Sequence, residues 1–237
     1  MALDLQVKIG KQRVQLTCDA RTVVLCDDAE SARRTAKAVA EAGGTLLTGD
    51  DAPRGSVRDQ LPRKFDSAQA ITICERLHLS EDALDWRPRE SDPIHRLLGA
   101  TIVALASGDP VLVFDVTTCT SPFDVAHLCA HMRRTEQEFG VTVIAVIWDP
   151  ALISSAGTHL VIVHGDAVVE QGPAIALLAH PRSESLQQRL ASTPIPSPLA
   201  MQMRQVQRIA TEPVNYSHTT IIQLPTRDTI ALAGGDE

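Results

Sequence analysis

Between Cys26 and Lys37 the sequence reads CDDAESARRTAK, which puts the carboxylates of Asp27, Asp28 and Glu30 beside the guanidinium groups of Arg33 and Arg34. The run follows TVVLC, a β-branched apolar segment of the kind buried in a sheet. It opens an alanine-rich segment of helical period, Ala29–Ala42, closed by Gly43-Gly44. A strand, a tight turn and a helix bring the first helical amides to the strand's end, where their partial positive charge suits phosphate. A loop built for that purpose uses glycines, so that backbone amides can approach the anion, and a lysine to neutralise it. This turn has neither. Asp28 fits the N-cap position. Asp27, Asp28 and Glu30 can together cap and neutralise the helix start, and the same carboxylates would repel a triphosphate.

Other residues with chemical potential are dispersed. The five cysteines, Cys18, Cys26, Cys74, Cys119 and Cys129, form no C-x-x-C pair, so neither a zinc site nor a disulfide framework is expected. His127 and His131 are spaced i, i+4 on an expected helix but lack the glutamates of a recognisable metal motif. No metal and no other cofactor is expected. A net charge of −7 argues against a nucleic-acid binder, because phosphate neutralisation needs clustered Lys and Arg. No apolar run approaches the roughly 20 residues that span a bilayer, and MALDLQVKIGKQ does not read as a signal peptide. A cytoplasmic location is expected, with contact to the inner face of the cell membrane only through partners.

The elements that position these residues follow from the periodicity. LDLQVKIGKQRVQLTCDARTVVLC reads as two or three strands, the last at Thr22–Cys26. LLTGDDAPRGSVRDQLPRKFD is polar and rich in Gly and Pro, and reads as loop. AQAITICERLHL is helical by period, with Ile71, Cys74, Leu77 and His78 on one face, and Ser80 caps a short helix after it. Helix from Pro93 ends at Asp109-Pro110, and VLVF is a strand buried on both faces, with Asp115 at its C-terminal end. A helix from about Phe123 to Glu138, the strand VTVIAVIWD, a short helix in PALISSAG, a hairpin turning at Gly165-Asp166 and two helical pieces complete the order. Apolar strands alternating with helices argue for an α/β fold on a mostly parallel sheet.

The second half of the chain resembles the ATPase subunit of ATP-binding-cassette (ABC) transporters, closest to the oligopeptide, dipeptide and nickel importer subfamily. The resemblance is carried by VLVFD, by VTVIAVIWDPAL, and by THLVIVHGDAVVEQGPAIALLAHP, in which Gly165, Val169, Glu170, Gly172, Pro173, His180 and Pro181 match the family's scaffold. Pro88 and Glu90 match its P-x-E, and the run from Val23 aligns with its Walker A strand, loop and helix. The resemblance implies a P-loop NTPase-like core, an antiparallel β subdomain and a helical subdomain, truncated here because no glutamine loop is recognisable between about residues 45 and 65. The ATPase-like domain it implies is 1–191; STPIPSPLA, with three prolines and no periodicity, reads as a linker at 192–200, followed by a C-terminal extension at 201–237.

The residues at the family's functional positions depart from it. Asp27 and Ala32 stand where Walker A has glycine, with Asp28 between them. Arg33 stands at the lysine and Arg34 at the Mg²⁺-binding hydroxyl, followed by Thr35. Ser91, Asp92, Pro93, Ile94 and His95 replace the signature, Val116 the catalytic Glu, and Trp148 the switch His. Asp115 keeps the Walker B position. It is read as a hydrogen-bonded relic of a metal ligand paired with Arg33, and Trp148 as a space-filling residue. The resemblance so altered implies a non-catalytic subunit that serves an active ATPase subunit or the membrane subunits of an importer as a structural or regulatory partner. The alternatives are an ATP-hydrolysing subunit of asymmetric activity working with an intact partner, and a repurposed enzyme using His95, Cys119 or His131.

Overall fold

The computed structural model describes residues 3–9, 12–18, 21–119 and 121–192. Strands β1 (Leu3–Ile9) and β2 (Gln12–Cys18) form an antiparallel ladder, followed by β3 (Arg21–Leu25) and helix α1 (Ala29–Glu41). Then come β4 (Thr45–Thr48), α2 (Val57–Gln60), α3 (Ser67–Arg76), α4 (Pro93–Ser107), β5 (Val111–Asp115) and α5 (Pro122–Phe139). Strand β6 (Thr142–Ile147), α6 (Ile153–Ala156), the hairpin β7 (His159–His164) and β8 (Ala167–Pro173), α7 (Ala174–Ala179) and α8 (Glu184–Ser192) end the order. The main sheet has the strand order β4-β5-β6-β3-β7-β8. Its first five strands are parallel and β8 is antiparallel.

Alternation along the central strands divides the core. Val23 and Leu25 point to a face covered by α4, α5 and α6, while Val24 and Cys26 point to a face covered by α1 and the β1–β2 ladder. Residues of β5 are buried throughout, as expected of a parallel strand covered on both sides. A smaller cluster of Val57, Ala70, Ile73, Cys74, Leu77 and Leu84 packs α2 and α3 against Ile102 of α4, and constitutes the helical subdomain.

Two expectations need correction. Residues 46–66 are not all loop: β4 pairs in parallel with β5, with Leu47 buried, and α2 starts on a capping box between Ser56 and Asp59. The buried face of α3 is Ala70, Ile73, Cys74 and Leu77, whereas His78 is exposed with φ 56°. His78 occupies the left-handed position of a Schellman motif. Its amide donates to the Glu75 carbonyl at 2.9 Å, and Leu79 donates to Cys74 at 2.8 Å. The tail after Ser192, with most of the expected linker and the whole extension, lies outside the described residues.

On α5, His127 is exposed while His131 is buried edge-on to Phe114, with ring centroids 6.5 Å apart, so the two imidazoles do not converge on a common point. Burial pushes the His131 pKa down to about 3, with His127 and Arg134 adding to the shift. Its Nε2 is buried without a hydrogen-bond partner. The folded pKa is thus below the unfolded value of about 6.5, so as pH falls through 6.5 the unfolded chain binds a proton that the folded chain refuses. Stability should fall by about 1.4 kcal/mol per pH unit between about pH 6 and pH 3 from this group alone. Urea titrations from pH 7.5 to 4.5 should show a shallower acid limb for His131→Leu than for the wild type. Parallel limbs would mean that His131 ionises freely.

Candidate functional site

Strand β3 leads to α1 on one face of the sheet and β6 leads to α6 on the other. Adjacent strands whose connections diverge leave a crevice at their C-terminal ends, where open α/β sheets bind ligands. Residues 26–28, Trp148 and Asp149 border it, and Asp115 to Thr117 follow the next strand along, β5.

The carboxylates of CDDAES serve three different ends. Asp28 is the N-cap of α1, with extended backbone at φ −148° and ψ 174°. Its Oδ1 accepts from the Ser31 amide at 2.7 Å, and Ser31 Oγ accepts from the Asp28 amide at 3.1 Å. The Ser31 backbone and side chain hold its carboxyl below the usual range. Asp27 turns away from the helix. Its Oδ2 accepts from the Gly165 amide at 2.8 Å and its Oδ1 lies 3.0 Å from His164 Nδ1. Partial burial pushes its pKa up, but those two groups and Arg189 outweigh burial and leave it below the ordinary value. Glu30 pairs with Arg34 at 2.7 Å on the exposed side of α1. The expected joint cap is therefore one cap, Asp28, with Asp27 committed to the β7–β8 turn and Glu30 to its own helix.

Arg33 and Asp115 do not form the expected direct pair. Asp115 is buried, and its Oδ1 accepts from both the amide and the hydroxyl of Thr117, at 3.0 and 2.7 Å. Thr117 Oγ1 in turn accepts from Arg33 Nε at 3.1 Å. The guanidinium continues outward to Asp50, 3.7 Å away, with its side chain 52% exposed. Arg33 is thus a surface cation touching the outer end of a short relay. Ala32 and Thr35 face inward from α1 and are buried, as is Val116, where a general base would need a carboxylate.

Trp148 is 47% exposed, which corrects its expected space-filling role. Arg189 of α8 reaches into the crevice instead: its Nη2 donates to the Trp148 carbonyl and its Nη1 lies 3.8 Å from Asp27 Oδ1. Burial pushes the Arg189 pKa down, and Asp27 opposes that shift.

At the start of α4, Asp92 is the N-cap and accepts from the His95 amide at 3.0 Å and contacts His95 Nδ1 at 2.6 Å. Trp86 stacks edge-on against the same ring at 4.6 Å. Ser91 Oγ donates to the Arg87 carbonyl, Pro93 occupies the first turn and Ile94 is buried. Arg96 donates to the carbonyls of Pro88, Ser91 and Gly49, tying this loop to the end of β4. A Cβ on Gly49 would lie 2.5 Å from Thr118 Oγ1 and 2.8 Å from Pro93 Cβ, so this approach requires glycine. In the hairpin, Glu170 accepts from the amides of Arg182 and Ser183 and so anchors the lead into α8.

Thr117, Arg189, His164, Asp50 and Arg96 were not singled out from sequence. Only Thr117 carries a local signal, an Asp two residues before a Thr, which suits an Asx-type turn. The others are placed by contacts far apart in the chain.

No protein-family model matches the chain. The methionine import ATP-binding protein MetN of Cutibacterium acnes is 30% identical over 90 residues, 38% of this chain and 25% of that protein. The match therefore spans a quarter of that relative's length. A bacterial Atm1-family ABC exporter solved with ATP bound superposes with a TM-score of 0.54 at 10% identity, over 81% of this chain and 42% of the exporter chain. The cbiO1 protein of Clostridium perfringens, part of the ABC transporter complex cbiONQ, superposes with a TM-score of 0.59 at 12% identity, over 86% of this chain and 98% of its own. At these identities the superpositions establish the fold alone: an α/β core on a mostly parallel sheet, shared with these ABC transporter proteins. Among the described residues no helix is long and apolar enough to cross a membrane, and no group of His, Cys, Asp and Glu is arranged to hold a metal ion.

The relay from Asp115 outward makes the cost of truncation unequal. Thr117→Val leaves a buried carboxylate short of a donor and should cost about 1–3 kcal/mol. Arg33→Ala removes a half-exposed, solvent-screened group and should cost under about 0.5 kcal/mol. Urea denaturation of the two variants checks this. A larger loss at Arg33 would mean that the guanidinium, and not the hydroxyl, neutralises Asp115.

Proposed function

We propose that this chain is a non-catalytic ATPase-like subunit of an ABC import system of the peptide or nickel type. In this reading residues 1–191 form the ATPase-like domain, residues 192–200 a linker and 201–237 an extension. The domain works as a structural or regulatory partner of an active ATPase subunit or of the importer's membrane subunits. That places it in the cytoplasm, against the inner face of the membrane through those partners.

One observation carries the reading. The three aspartates Asp27, Asp28 and Asp115, at positions where the family holds phosphate and magnesium, are each engaged with the chain itself. Asp28 accepts from the Ser31 amide in the first turn of α1, Asp27 crosses to Gly165 and His164, and Asp115 Oδ1 accepts from Thr117. Mg·ATP does not fit this set. A helix start attracts an anion by about 0.3–1 kcal/mol. A carboxylate about 4 Å from a phosphate oxygen opposes it by about 4 kcal/mol at the effective dielectric of a partly exposed site. Repulsion wins, and Arg33 does not offset it, because its guanidinium points outward to Asp50. The importer type rests on the hairpin residues Gly165, Glu170, Gly172 and Pro173 and on the partial identity to a methionine import protein.

Purification of the tagged full chain from cells at native expression should recover an ABC ATPase subunit or the membrane subunits of an importer. Recovery as a lone chain with ATPase activity would overturn the proposal. Val116→Glu should not create turnover, because a general base cannot act where the phosphate is not positioned. Measurable phosphate release by that variant would show that the loop does bind nucleotide.

A further inference from the structure

Strand β1 is an edge. Among the described residues it is laddered to β2 on one side and to no strand on the other. Such an edge is a template for another strand, and proteins blunt it with proline, a bulge or charges that repel a neighbour. β1 runs seven residues, Leu3–Ile9, without proline, and its register with β2 is continuous. Leu5, Val7 and Ile9 are buried in the layer that includes Ala32, Ala36 and Val39 of α1, so its inward face is apolar. Asp4, Gln6 and Lys8 alternate with them and are exposed, and the two charges are of opposite sign.

The order of that exposed row matters. Asp4 stands near its start, Gln6 at its middle and Lys8 near its end. Lys8 also lies directly opposite Arg13 of β2, which is exposed as well. Like charges directly opposite destabilise a ladder, and among the described residues neither cation closes an ion pair with a carboxylate. A second β1 laid antiparallel along the edge, with Gln6 facing Gln6, sets Asp4 of each strand opposite Lys8 of the other. Both cross-strand pairs are then of opposite sign, and each brings a carboxylate to the Lys8–Arg13 end. In the same register Leu5 meets Val7 on the apolar face. A slip that faces Asp4 with Asp4, or Lys8 with Lys8, puts like charges together, and so does a parallel in-register pairing. Charge along the edge thus selects a second copy as occupant, and one register for it.

We propose that β1 is a self-association edge, at which two copies of this chain pair β1 to β1 in antiparallel about a twofold axis at Gln6 and join two two-stranded ladders into one four-stranded sheet. The inference goes beyond the functional reading and makes no use of the crevice at the strand ends, so either can fail without the other.

Sedimentation velocity of full-length chains at micromolar concentration tests it. The wild type should sediment as a dimer, at twice the 25.6 kDa of the chain. Asp4→Lys and Lys8→Asp each set like charges across the axis, and each should be a monomer. Mixed in equal amounts, the two variants are complementary at both pairs and should recover the dimer, which a folding defect would not allow. A cross-link reads the register. Gln6→Cys should give a disulfide-linked dimer on mild oxidation, because opposite residues of an antiparallel pair have Cα atoms about 4.5–5.5 Å apart, within disulfide reach. Gln15→Cys on β2 should not, and the five native cysteines are buried. A monomeric wild type, single variants that stay dimeric, or a mixture that stays monomeric would overturn the edge pairing. Equal cross-linking of Gln6→Cys and Gln15→Cys would overturn it as well.

Discussion

The first-turn amides of α1 emerge at the end of β3 with no intrahelical partners, and something must accept their hydrogen bonds. In a phosphate-binding loop that acceptor is the ligand. In this chain it is Asp28, at 2.7 Å from the Ser31 amide and locked by the reciprocal bond from its own amide to Ser31 Oγ. A covalently attached acceptor is present at an effective concentration no free anion matches, and its charge repels any that approaches. The rest of the crevice is consistent with that choice. Arg33 runs outward to Asp50, and Asp115 Oδ1 accepts from the residue two positions on.

The sheet beneath is indifferent to this change. Its stability comes from alternating apolar side chains on strands covered on both faces, with Val23 and Leu25 serving one layer and Val24 and Cys26 the other. The charged groups at the strand ends, Asp27, Asp28 and Asp115, are not part of that apolar core. The same fold can therefore carry a nucleotide site or a self-satisfied edge at little difference in core energy. The edge does gain long-range ties: Asp27 reaches the β7–β8 turn, and Arg189 brings α8 onto the end of β6.

What was legible in the sequence was whatever repeats locally. Strand β5, helix α5 and the hairpin at Gly165 follow from apolar period and turn residues, and Asp28 from its place before an alanine-rich run. Strand β4 was hidden because four residues between Gly43-Gly44 and Gly49-Asp50 carry too little pattern to outweigh loop composition. Only pairing with β5 makes them a strand. The partners of the site residues were less legible still. Asp27 meets Gly165 across 138 positions and Arg33 meets Thr117 across 84, so neither contact has a signature in spacing. The expected Arg33–Asp115 pair failed because a nearer hydroxyl on Asp115's own loop satisfies the carboxylate first.

The central claim, that this crevice is closed to nucleotide by its own carboxylates, is tested most directly by thermal unfolding of the full chain with and without Mg·ATP. A ligand at a hundredfold excess over its Kd stabilises the folded state by about 2.7 kcal/mol, a shift of several degrees that is readily resolved. The account predicts an unchanged unfolding temperature at nucleotide concentrations up to the millimolar range. A concentration-dependent rise that disappears when magnesium is withheld would contradict it.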